Sequence, residues 1–221
     1  MDHRASLNRR RFIRGTAAAT LASPLLQSAR AAASASHQAT GVRVGEVSDT
    51  TAIVWTRLTQ HAVRNNDGIV IPERKKGEKQ PWPPPPAPPA HEIEGACPPM
   101  SGRVRVRYGL KADLSDAVET PWVDVSEEKD GIHHFKLTSL KPGSTYHYIS
   151  ETAGADGAVH EGLQGKFHTA PDHASPSSMR FCVMTCQGYP DRDHKDGHPI
   201  YPSMTAVDPR FIVMTGDLVY Y

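Results

Sequence analysis

The chain of 221 residues carries 25 lysines and arginines against 24 aspartates and glutamates, for a formal net charge of +1. That balance gives no basic surface for a nucleic acid, so none is expected as a partner. The cysteines, Cys97, Cys182 and Cys186, are odd in number and argue against a disulfide framework.

The first residues read as a targeting segment. Asn8-Arg9-Arg10-Arg11-Phe12-Ile13-Arg14 sets a polar residue, paired arginines, an apolar pair and a base in order, and resembles a twin-arginine export signal. A weakly apolar, alanine-rich stretch follows from Gly15 to Leu26. Small residues at Ala29, Ala31, Ala33 and Ala35 then offer cleavage points. The apolar stretch is too short, and too interrupted by Pro24, for a stable membrane span. The bland alternative is a basic, disordered tail. The resemblance implies the twin-arginine translocation machinery as a partner, carriage of an already folded protein, and a periplasmic or extracellular destination. Residues 1–35 are assigned to this signal.

From residue 36 to 171 short strands alternate with turn residues. Gly41–Val47 alternates and breaks at Ser48-Asp49. Thr51–Thr56 places Ala52, Val54 and Thr56 on one face, with Ile53 and Trp55 on the other. Arg103–Tyr108 alternates most cleanly: Val104, Val106 and Tyr108 would face a core, with three arginines toward water. Those arginines could bind an anion, but a solvated sheet face is the better reading. Further strands are predicted around Trp122–Val125, Ile132–Leu137, Thr145–Ser150 and Leu163–Thr169. His133 and His134 are adjacent and point to opposite faces, so they make poor partners on one metal. Tyr146, just after the Pro142-Gly143 turn, resembles the tyrosine corner of Greek-key sandwiches. Together these features resemble a fibronectin type III-like all-β sandwich.

Residues 62–101 do not fit a strand. Glu73–Lys79 is highly charged, and Pro81–Pro89 is too proline-rich for ladder hydrogen bonding. The segment reads as a long insertion between the second and third strands. A groove that binds proline is conceivable as its partner; a plain surface excursion is the simpler reading.

After a polar linker over 172–178 the pattern changes. Met179–Cys186 and Phe211–Thr215 are apolar runs of the kind buried on both faces of a parallel sheet. A loop rich in Asp and His and a short helix over Ile200–Val207 lie between them. This β-loop-α-β unit would put Cys186 and Asp217 at neighbouring strand ends, where ligands of open α/β sheets gather. Read singly, Cys186 could be an inert core thiol, Asp217 a helix cap and Tyr220 a packing residue. The loop from Asp191 to His198 reads as a solvated mouth of the site and not as a metal cage by itself.

The sandwich, the strand ending in Cys186-Gln187, and Gly216-Asp217-Leu-Val-Tyr220 occur in one order. In that order they resemble the N-terminal part of the PhoD-type alkaline phosphatases and phosphodiesterases of the metallophosphoesterase superfamily. The resemblance implies a metal centre for hydrolysing a small phosphoester. Cys186 and Tyr220 would be ligands of a trivalent iron, and Asp217 would bridge it to a second metal, calcium. A phenol ionises near pH 10, so only a strong Lewis acid would hold Tyr220 as phenolate at lower pH. A carboxylate suits a hard second cation. The family's later Gly-Asn-His-type motif does not occur here. Residues 179–221 are therefore expected to be the start of a truncated α/β metallophosphoesterase domain, with exposed apolar faces, deficient metal affinity and no turnover by this chain alone. The competing class is a non-catalytic, exported binding module with a vestigial tail.

Overall fold

The computed structural model describes residues 35–71, 77, 86–154, 157–188, 193–194 and 197–218. Residues 35–221 group into one compact unit, apart from residues 1–34. The proline run Pro81-Trp-Pro-Pro-Pro85 and Tyr220 fall outside the described residues.

Alternation along the chain builds two antiparallel sheets. Strands β1 (Arg43–Gly45), β2 (Ala52–Arg57) and β6 (Ile132–Leu137) form a three-stranded sheet in the order β1-β2-β6. Strands β3 (Gly102–Gly109), β4 (Val118–Glu119), β5 (Val123–Val125), β7 (Thr145–Ala153) and β8 (Val159–His168) form a five-stranded sheet. Its order is β4-β3-β7-β8, with β5 also pairing β3. The inward residues of both sheets close one core. Ala52, Val54, Phe135 and Leu137 come from the first sheet, and Val104, Val106, Tyr146, Tyr148 and Phe167 from the second. Ala52, Val54 and Thr56 are fully buried, as the alternation of β2 requires. Thr56 can sit there because its hydroxyl donates to the His133 carbonyl at 3.2 Å.

The tyrosine corner is present. The Lys141 N–H donates to the Tyr146 phenol oxygen at 2.8 Å, pinning the turn against the start of β7. The Tyr146 ring stacks on Phe167 with centroids 5.5 Å apart. Burial pushes the neighbouring Tyr148 phenol up. The Tyr148 ring lies over Gly165, its cross-strand partner, where any Cβ would collide with it. Tyr146→Phe keeps the stacking and removes one acceptor from a half-buried amide. It is expected to cost about 1–2 kcal/mol in a urea titration, and an unchanged midpoint would show that the corner is not structural.

One expectation needs correction. The arginines of β3 do not stand free in water. Arg105 lies 2.6 Å from both Glu119 and Glu151, and Arg107 lies 2.9 Å from Glu119 and 3.5 Å from Glu151. The Arg105 and Arg103 guanidiniums lie 4.8 and 5.6 Å from the Trp122 ring centroid. Paired carboxylates and an aromatic face occupy these cations, so they hold no vacant anion site. The apolar runs of the second segment stand largely exposed, as expected from the sequence. Strands β9 (Cys182–Met184) and β10 (Ile212–Met214) pair in parallel, and in them only Met184 is buried. Phe181 and Phe211, just ahead of them, stack on each other at 5.2 Å while remaining about half exposed.

The base of the insertion is ordered. The Asn65 N–H donates to the Ala96 carbonyl at 2.8 Å, and Ile69 bridges Ile93 in parallel. Among the described residues no helix is long and apolar enough to cross a membrane.

Candidate metal centre

Cys186 lies two residues beyond the end of β9 and Asp217 three residues beyond the end of β10. The two strands run in register, with Cys182 opposite Ile212 and Met184 opposite Met214. The pairing continues past them: Thr215 N–H donates to Met184 C=O at 2.9 Å, and Gln187 N–H to Asp217 C=O at 2.7 Å. Parallel register therefore carries two residues 31 apart in sequence to the same edge. The Cys186 thiol donates to Asp217 Oδ2 at 3.4 Å.

Both residues adopt left-handed backbone, with φ of 56° for Cys186 and 52° for Asp217. Asp accepts this region through local side-chain bonding, whereas Cys has no such compensation. The turn that re-aims each side chain costs on the order of 1–3 kcal/mol when a residue other than Gly adopts it. Gly216, at φ 119°, supplies the remaining reversal before Asp217.

Helix α1 (Ile200–Ala206) braces this edge. The Tyr201 hydroxyl donates to Gln187 Oε1 at 2.6 Å, and Gln187 Nε2 donates back to Thr185 C=O at 3.1 Å. The Thr185 hydroxyl donates to Gly216 C=O at 3.2 Å. Gln187 follows Cys186 directly, so Tyr201 holds the turn that presents the thiol. Sequence reasoning missed Tyr201 as a support, because a tyrosine on a short helix gives no pattern that names its partner. Beyond it, His198 Nδ1 lies 3.6 Å from Asp193 Oδ2, and the His198 ring meets Tyr201 edge-on at 6.1 Å. On the sandwich side, burial and the nearby Arg210 push His168 down, with Asp208 opposing them.

The structure thus brings together Cys186 and Asp217. Tyr220 lies outside the described residues. Among the described residues no three His, Cys, Asp or Glu side chains converge as a metal cage. Cys182 and Cys97 are free thiols away from this pair, Cys97 donating to Gly95 C=O at 3.7 Å.

The profile of the PhoD-like phosphatase N-terminal domain matches residues 22–171. A solved structure of PhoD covers 86% of this chain at 18% identity with a TM-score of 0.58, and the chain spans 29% of that protein. The third fibronectin III domain of human KIAA0343 aligns over 64% of this chain and 86% of its own, at 17% identity and a TM-score of 0.32. The FN1–FN3 domains of chicken CNTN1 align over 61% of this chain and 30% of their own, at 15% identity and a TM-score of 0.33. No curated protein sequence matches the chain. With its profile match covering most of the chain and its sandwich followed by a parallel β-α-β unit, this chain belongs to the PhoD-like phosphatase family, whose N-terminal domain it carries.

Proposed function

We propose that the chain is the N-terminal part of an exported, metal-dependent phosphomonoesterase or phosphodiesterase. The single observation that carries this reading is the 3.4 Å contact of Cys186 Sγ with Asp217 Oδ2 at adjacent parallel strand ends. A thiol and a carboxylate held this close are two donors of different softness, and they fit a shared iron with a harder neighbour such as calcium. Cys186 and Tyr220 would hold the trivalent iron, with Asp217 shared between iron and calcium. When bound, such a pair lowers the pKa of a coordinated water and neutralises charge on a phosphoryl group. The chain's own part is to present the donors. On metal binding Cys186 would lose the proton it donates to Asp217, and the Tyr201–Gln187–Thr185 hydrogen bonds keep the turn in place. The twin-arginine machinery would deliver the folded protein to the periplasm or beyond.

The test is retention of metal by the purified full-length chain after exposure to iron(III) and calcium and removal of excess by gel filtration. Iron that co-elutes with the protein and is displaced by a chelator supports the reading. A chain that elutes metal-free under all loading conditions contradicts it.

Tyr201 is a positioning residue in this scheme. Tyr201→Phe removes the 2.6 Å bond to Gln187 without touching Cys186 or Asp217. Iron affinity is expected to fall roughly 10-fold, the lower end for loss of an outer partner. An unchanged affinity would remove Tyr201 from the site.

A further inference from the structure

We infer that removal of the export leader stops upstream of Ser36, because Ser36–Gln38 is a buried strap that joins the two sheets. The inference rests on the export reading above. By sequence, Ala33-Ser34-Ala35 is the small-x-small pattern nearest the folded body, and it points to a cut after Ala35. The structure argues against that bond.

Ser36 is fully buried. Its N–H donates to His160 Nδ1 on β8 at 2.9 Å, and its carbonyl accepts from the Thr152 hydroxyl on β7 at 2.9 Å. Its own hydroxyl lies 3.1 Å from the same His160 nitrogen. Two residues on, Gln38 is 2% exposed and exchanges two bonds with Ser150 of β7. It accepts from the Ser150 hydroxyl at 2.7 Å and donates to the Ser150 carbonyl at 3.0 Å. Between them, His37 exchanges backbone bonds of 3.0 and 2.8 Å with Thr59, just past β2. The strap therefore crosses from the five-stranded sheet to the end of the three-stranded one, and it satisfies buried groups on both.

A cut after Ala35 would turn the Ser36 amide into an ammonium. A single N–H now aimed at one ring nitrogen would become a charged group with three protons in a fully buried place. Burying a charge without a matching partner is far more costly than burying a bonded amide. The bond would also be hard to reach, since the twin-arginine route presents the leader on a folded body and Ser36 is inside that body. Cuts after Ala29, Ala31 or Ala33 leave the strap whole, with exposed Ala35 as its last free residue. The mature chain would then begin at Arg30, Ala32 or Ser34.

The full chain is expressed in a bacterium with twin-arginine machinery, and the exported protein is read by intact mass. A start at Arg30, Ala32 or Ser34 is expected; a start at Ser36 or later overturns this inference alone. Ala35→Arg blocks only the cut after Ala35, so export and processing should be unchanged. If processing stops in that variant, the inference fails. Gln38→Ala in the full chain should lower the melting temperature by about 5 °C, by stranding the buried Ser150 groups; an unchanged melting temperature means there is no strap. A chain recovered uncut in the cytoplasm refutes the export reading itself, and the processing limit with it.

Discussion

Replacing Leu137 with alanine is expected to destabilise the sandwich by about 2–5 kcal/mol. Leu137 is 1% exposed and pairs in register with Ala52, so the space it leaves lies beside the smallest side chain of the neighbouring strand. Phe135, Val54 and Val104 around the same core are buried and held by their strands, and they have little freedom to close the gap. Whole domains are stable by only about 5–15 kcal/mol, so this one change removes a large share. Lys136, the next residue along β6, is exposed and provides the control. Lys136→Ala should stay within roughly 0.5 kcal/mol. Urea titrations of the two variants measure the difference. A shifted midpoint at constant slope for Leu137→Ala, beside an unmoved Lys136→Ala, is the expected result.

The second large effect concerns metal. Cys186→Ala and Asp217→Ala should each weaken iron binding by at least about 10-fold, since even an outer-shell change has that effect. The double variant should be little worse than either single one, because a centre that needs both donors is already lost after the first. Neither change should unfold the chain, as both residues are exposed and lie past the strand ends. Cys182→Ala is the matched control, a thiol on the same segment that stands opposite Ile212 and not Asp217 in the strand register. Isothermal titration with iron(III) separates the four proteins. Equal losses in Cys182→Ala and Cys186→Ala would mean that the metal responds to thiols in general and not to this pair.

Much of the fold is legible because its core strands obey one simple periodicity. Ala52, Val54 and Thr56, or Val104 and Val106, announce their buried face by alternation alone. Tyr146 announces a turn because a phenol after Pro-Gly has one well-known use. The parallel unit is legible from two apolar runs and the glycine before Asp217. What alternation cannot encode is partnership at a distance. Arg105 meets Glu119 and Glu151, 14 and 46 residues away, so its even spacing along β3 looked like a solvated face. Strand β4 is only two residues long, too short to show a period. The strap at Ser36 and Gln38 is polar and sits next to the leader, where sequence composition points to solvent. Tyr201 reaches Gln187 through helix phase and turn geometry that no residue spacing reveals.

The direct test of the central claim is iron X-ray absorption on the full-length chain loaded with iron(III), beside its Cys186→Ser variant. A sulfur neighbour bound to iron in the native chain, and its loss in the variant, is the expected result. An iron shell of oxygen and nitrogen alone, the same in both proteins, would contradict a centre built on Cys186 and Asp217.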